Sequence, residues 1–272
     1  MSQRSPAWLC RIGMASVLGL AALLAACSGV PQAAVTELAP SGTLRAAINF
    51  GNPILATRDA TTGQARGVSV DLAQELAKRL GVPLELVTVP SAGQAVEAIK
   101  SGKVDIAFVA IDPVRGTDML YSAPYVVIEG AYLVRNDSPI RSNDEVDRPG
   151  IRIAVGKGSA YDLYLTREIK TATLVRAPTS PAVVDLFIAQ SLEVAAGVKQ
   201  QLEMDAKRVS GVRLLPGRFM VINQAIGTPR GREAGANYLR VLVEEMKASG
   251  FVAQALARHG IEGAAVAPAE AK

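Results

Sequence analysis

An α/β fold of two lobes, each built on a doubly wound, mostly parallel sheet and joined by two crossover hinge strands, is what the sequence predicts. Three observations predict it. Short β-branched runs alternate with helical periodicity from residue 43 onward in the order βαβαβ, which closes as a parallel sheet. The same order restarts after residue 150. Two long apolar runs, 125–134 and 219–226, then stand where one strand would carry the chain out of the first lobe and another would bring it back.

The chain in order begins with the layout of a secretory signal over residues 1–26: Arg4 and Arg11, an apolar run over 12–24, then small residues. Leu24-Ala25-Ala26-Cys27 matches the bacterial lipobox, in which Cys27 becomes the lipidated first residue after cleavage. A plain signal peptide or a short anchor is the alternative, although the run is short for a membrane span. Residues 27–41 read as a lipid-anchored tether, small, polar and without periodicity.

Strand 44–50 runs into Gly51-Asn52-Pro53. Ser69 reads as the N-cap of a helix with Leu72, Ala73, Leu76 and Leu80 on one face and Gly81 at its stop. Strand 84–89 and helix 94–100 follow. Val104-Asp-Ile-Ala-Phe-Val-Ala-Ile111 then has the uninterrupted apolar character of a strand covered on both faces, and Asp112-Pro113 stops it. Ligands of open α/β sheets bind beyond the carboxyl ends of the strands, so Arg115 stands where a guanidinium would meet an anion.

Ile151-Arg-Ile-Ala-Val155 with Gly156-Lys-Gly158 echoes the first strand and its turn. Helix 182–190 and strand 192–198 echo residues 96–109 at one offset of 88, with Glu193 matching Asp105 and Ala195 matching Ala107. After the return strand comes an amphipathic helix with Tyr238, Leu239, Leu242, Val243 and Met246 on its apolar side. Lobe 1 is therefore assigned to 42–127 plus 226–263, lobe 2 with the hinge strands to 128–225, and 264–272 to a disordered tail.

At 272 residues the chain is long enough for two cores. Its formal charge of +4 falls to +2 once Arg4 and Arg11 leave with the signal, which gives no argument for nucleic acid. Of two cysteines, Cys10 leaves with the signal and Cys27 is acylated, so no disulfide pair remains. His259, the one histidine, reads as a helix-end residue, and neither a metal nor a cofactor is expected.

The succession Gly42-Thr-Leu-Arg45, Gly67-Val-Ser-Val-Asp-Leu-Ala73, Ala77-Lys-Arg-Leu-Gly-Val82, Ile99-Lys-Ser-Gly-Lys-Val-Asp105, Pro113-Val-Arg115, Tyr121-Ser-Ala-Pro-Tyr125 and Ile153-Ala-Val-Gly-Lys-Gly-Ser159 resembles the extracellular solute-binding proteins of polar amino acid ABC transporters. The resemblance covers roughly 41–263. It implies a two-lobed type II periplasmic-binding fold closing on a small ligand, with Arg115 gripping a carboxylate and Ser159 helping from the second lobe. Bidentate guanidinium chemistry and a helix N-terminus at Ser159 agree with those roles.

The chain also departs from that family. Where the family has aromatics over the ligand, this sequence has Asn52-Pro53 and Ala92; where it has a hydroxyl, Ala110. Where it has the Asp that takes an α-ammonium, this chain has Val198 next to Lys199, and a lysine cannot accept from an ammonium.

The expected ligand set is Arg115, Ser159, Asp112, Ala110, Lys199, Asn52 and Glu129. Asp112 stands three residues before Arg115, alternatively as its surface ion-pair partner. Glu129 interrupts an apolar crossover strand and should be paired or face the cleft. Asn223 and Gln224 in the return strand read equally as hinge hydrogen bonders, and Tyr161 and Tyr164 as core or rim.

The expectation is a monomeric, lipid-anchored binding component on the periplasmic side of the envelope. It captures a small anion, carboxylate or amino-acid-like, and passes it to an ABC permease; an ordinary α-amino acid is not the expected ligand. Two alternatives stand beside it. One is a cyclohexadienyl-dehydratase-like enzyme using Glu129, with a raised pKa, as general acid; the other is a sensory role.

Overall fold

The computed structural model describes residues 29–270. The expected signal segment and Cys27 lie outside the described residues. The chain opens with α1 (Gln32–Leu38) and β1 (Leu44–Asn49), then a small ribbon of β2 (Thr57–Arg58) and β3 (Ala65–Arg66). There follow α2 (Val68–Leu80), β4 (Leu84–Val89), α3 (Ala92–Lys100) and β5 (Ile106–Ala110). β4, β1 and β5 lie side by side and parallel, as the alternating pattern requires.

β6 (Met119–Tyr121) leads to the first crossover strand, β7 (Val126–Arg135). The second lobe contains β8 (Arg152–Gly156), α4 (Ala160–Glu168), β9 (Thr173–Ala177), α5 (Val183–Ala189), β10 (Val194–Val198), α6 (Lys199–Arg208) and β11 (Val212–Leu214). β12 (Met220–Pro229) returns, and α7 (Glu233–Ala248), α8 (Phe251–Arg258) and β13 (Ala265–Val266) finish the chain.

β7 and β12 are the hinge. They pair antiparallel from Gly130 with Met220 to Val126 with Gln224. At one end β12 continues onto β5, and at the other β7 continues onto β10. One sheet path, β4-β1-β5-β12-β7-β10-β8-β9, therefore runs through both lobes. No helix among the described residues is long and apolar enough to cross a membrane.

The internal echo is physical. At the start of β1, Arg45 donates Nε and Nη2 to the Asp105 carboxylate at 2.9 and 2.8 Å. At the start of β8, Arg152 does the same to Glu193 at 3.0 and 2.8 Å. In both, the arginine backbone N–H also donates to that acid. The two copies differ in burial: Asp105 is fully buried and takes a second arginine, Arg232, at 3.0 Å, whereas the Glu193 side chain is 35% exposed.

Three expectations need correction. The tether is folded from residue 29: Ala34 and Leu38 of α1 are buried, and Glu37 accepts from the Gly235 N–H in the first turn of α7 at 2.7 Å. Two apolar positions one turn apart make too short a period to read, and tertiary packing supplies the stability. The tail is not free, because β13 pairs with β7 and Ala267 is buried. Ser69 is not a cap; α2 begins one residue earlier, after Gly67 at φ 129°. A Cβ at Gly67 would stand 2.4 Å from the Leu55 carbonyl oxygen, which leaves glycine there. Ser69 is freed to meet the Tyr125 hydroxyl at 3.3 Å.

Candidate functional site

The turn after β5 carries Arg115. Asp112 Oδ1 accepts the Val114 N–H at 2.8 Å, tightening the turn, and Arg115–Thr117 make one 3-10 turn. This folds Arg115 back over the end of the sheet, where it is 3% exposed. Its Nη1 donates to the Ala110 carbonyl at 3.0 Å and its Nη2 to the Gly158 carbonyl at 2.8 Å. Ala110 belongs to the first lobe and Gly158 to the second, so this guanidinium bridges the cleft.

Burial pulls the Arg115 pKa below the ordinary arginine value, only partly offset by the fields of Tyr121 and Asp112. The group stays charged. A buried cation whose bonded partners are neutral carbonyls gains from any anion that reaches it.

Facing it, the Gly158-Ser159 turn is held rigid from beneath. The Gly158 N–H donates to Asp162 Oδ2 at 2.8 Å, and Asp162 is in turn fixed by Arg176 of β9 at 3.0 Å. Ser159 is the N-cap of α4, its hydroxyl accepting the Asp162 N–H at 3.0 Å. Tyr161 is buried behind it; desolvation pushes its phenol up to about 12, against hydrogen bonds to Ser180 and Ser159 that lower it.

Between the lobes lies a cavity of about 30 Å³, large enough for about two waters. Arg115 is its one charged lining residue among the described residues. Asn49, Asn52, Ser159, Tyr161, Ser180 and Gln224 supply polar groups; Val109, Val198 and Ile222 supply the apolar wall. Asn49 spends its Oδ1 on the Gly51 N–H at 2.9 Å, whereas the buried Oδ1 of Asn52 has no hydrogen-bond partner.

Of the expected ligand set, Arg115, Ser159, Ala110 and Asn52 meet at this cavity. The other three do not line it. Lys199 opens α6 and points to Glu129, its Nζ 3.2 Å from Oε2, so the expected contact with ligand is corrected to an ion pair at the hinge. Glu129 also accepts from Arg218 at 2.7 Å. The Arg218 hydrogen bond first, then Lys199, outweigh desolvation and lower its pKa. The raised value expected of a general acid is overturned.

Asp112 does not line the cavity, and its ion-pair partner is not Arg115 but Arg167 of α4, 3.0 Å across the cleft. Arg167 and Ser180 escaped sequence reasoning, because nothing local brings residues 55 or more positions apart to one cleft. Gln224 and Tyr161, read as hinge and core, are also cavity walls.

A buried guanidinium spanning two lobes that pivot on paired crossover strands defines a ligand-binding protein of the two-lobed kind. The chain belongs to the bacterial extracellular solute-binding proteins, family 3, whose sequence profile matches residues 44–261. The solute receptor for L-cysteine of Neisseria gonorrhoeae superposes with a TM-score of 0.73 at 22% identity, over 84% of this chain and 94% of that one. The P235GK mutant of ArgBP from T. maritima gives 0.72 at 19%, over 84% and 100%. At these identities the likeness is one of fold, the type II periplasmic-binding fold.

The membrane-bound lytic murein transglycosylase F of Aeromonas hydrophila is 31% identical over 131 residues, 47% of this chain and 25% of that protein. The chain thus spans about a quarter of the length of the curated relative it matches.

Proposed function

We propose that this chain is the substrate-binding component of an ABC uptake transporter and captures a small carboxylate in the cleft. Cys27 would carry a lipid that holds it on the periplasmic side of the envelope, and an inner-membrane permease would receive the ligand. The observation that carries the reading is that Arg115 is the one charged side chain lining the cavity among the described residues. An entering carboxylate takes the guanidinium donors not spent on Ala110 and Gly158 and offsets the cost of burying that charge.

The N. gonorrhoeae relative is a solute receptor for L-cysteine, and the ArgBP of T. maritima has been solved in an arginine-bound form. Here the place of an ammonium acceptor is taken by Val198, and no carboxylate lines the cavity among the described residues. A ligand carrying an α-ammonium would meet Arg115 without a counter-charge. Binding moves the two lobes between open and closed arrangements, and no bond is made or broken. The dehydratase alternative depended on Glu129 as an acid, and its hinge ion pairs argue against that role.

Isothermal titration with a panel of small carboxylates and free amino acids tests the reading. Carboxylates bind, and Arg115→Ala lowers their affinity at least about tenfold. Equal binding by the variant would overturn the assignment.

A further inference from the structure

Resting on the carboxylate reading above, we infer that Arg230 is a positioning residue for the ligand clamp: it grips the backbone of the turn that carries Arg115 and so sets where the Arg115 guanidinium meets its ligand. Arg230 follows directly on β12, the return strand. The antiparallel pairing of β12 with β6, Pro229 beside Met119, lays the chain after Pro229 along the turn that precedes Met119. The Arg230 N–H accordingly donates to the Asp118 carbonyl at 3.3 Å. Its side chain reaches further back: Nε donates to the Gly116 carbonyl at 3.1 Å and to the Thr117 carbonyl at 3.0 Å, and Nη2 donates to Gly116 as well.

The carbonyls that end a helical turn have no partner within it. Those of Val114 and Arg115 are met locally, by the Thr117 hydroxyl at 2.8 Å and the Asp118 N–H at 3.1 Å. Those of Gly116, Thr117 and Asp118 are met by Arg230 alone among the described residues. Asp112 therefore ties the turn at its start, through the Val114 N–H, and Arg230 ties it at its end, with Arg115 between them.

Arg230 is exposed and does not line the cavity, so it acts through Arg115 rather than on the ligand, and its loss opens no hole in the core. Arg115 is buried, and from this turn it aims its bonded donors at Ala110 and Gly158. A bidentate clamp needs its fork held to within about 0.5 Å, which a turn fixed at one end alone does not provide.

The test is isothermal titration of the purified protein and its variants with propionate, lactate, pyruvate and succinate, at a temperature where all are folded. For the acid that binds most tightly, Arg230→Ala should weaken affinity about three- to tenfold, with the melting temperature moving by less than about 2 °C. Arg230→Lys, which keeps donors for the two carbonyls, should recover part of that loss. Added to Arg115→Ala, Arg230→Ala should cost nothing more, because no fork is left to place. Unchanged affinity in Arg230→Ala, a lower melting temperature without weaker binding, or losses that add in the double variant would overturn the inference while leaving the carboxylate reading intact. Full affinity in Arg115→Ala, or no binding of any of these acids, would sink the reading on which it rests.

Discussion

Arg167, on the second lobe's first helix, pairs with Asp112 on the first lobe's turn after β5 at 3.0 Å, and so ties the two walls of the cleft together beside Arg115. Asp112 has a second task, since its other oxygen caps the turn that presents Arg115. One carboxylate thus links the shape of the turn that presents Arg115 to the contact between the lobes. With Arg167 36% exposed, the pair is a modest latch, worth about 0.5–1 kcal/mol.

Arg167→Ala therefore shifts the lobes toward the open form without unfolding either one. Small-angle scattering should show a larger radius of gyration in the variant, with ligand affinity about two- to fivefold weaker. An unchanged radius and unchanged affinity would mean that the pair contributes nothing to closure.

Gly93 sets how closely the lobes meet. A Cβ there would stand 3.8 Å from the Gly158 Cα, an ordinary contact, so Gly93→Ala should bind as the unaltered protein does. Gly93→Leu pushes branched carbons into the facing turn and should weaken binding more than about tenfold with little change in melting temperature. Tight binding by Gly93→Leu would show that closure does not bring these glycines together.

The repeated arginine–acid device predicts unequal costs. Desolvation raises the Asp105 pKa, but the hydrogen bonds from Arg45 and Arg232 outweigh it and leave the carboxylate below its ordinary value. Asp105→Ala strands two arginines at a fully buried site and should cost about 3 kcal/mol in denaturant unfolding. Glu193→Ala, at the half-exposed copy, should cost under about 1 kcal/mol.

Glu129 makes the hinge sensitive to acid. Its folded pKa is lowered by Arg218 and then Lys199, so its contribution to stability is complete above the unfolded glutamate value near about 4.3 and disappears as pH falls through the lower folded value. Glu129→Gln lacks that contribution. The melting-temperature gap between the two proteins should be widest near about pH 6 and close toward about pH 3; a gap that persists in acid would refute the pairing.

Much of the fold was legible in the sequence. The βαβ order, the two crossover runs and the echo of 151–158 on 44–51 correspond to the parallel strands, to β7 and β12, and to the paired Arg45–Asp105 and Arg152–Glu193 contacts. Two short elements were not legible. α1 and β13 are held by distant segments, Gly235 of α7 and Val127 of β7, and carry too few apolar positions to show a period.

The site was legible where the chain itself turns back on it, as at Asp112 to Arg115 and Gly158 to Ser159. It was not legible where side-chain direction decides. Lys199 follows Val198 in sequence, yet Val198 lines the cavity and Lys199 turns to the hinge, because β10 ends at Val198 and Lys199 is the first residue of α6, where the chain changes direction. Glu129 was correctly expected to be either paired or in the cleft; only the fold shows Lys199 and Arg218 beside it.

The central claim is that Arg115 clamps a carboxylate in a cleft whose lining, among the described residues, holds no carboxylate to meet an ammonium. Native mass spectrometry of the folded protein, mixed with equimolar free amino acids and their 2-hydroxy acid analogues, tests it most directly. The account predicts a retained adduct with the mass of an acid that lacks the amine, lost in Arg115→Ala. A retained free α-amino acid would contradict it and would mean that a group other than the one replaced by Val198 accepts the ammonium.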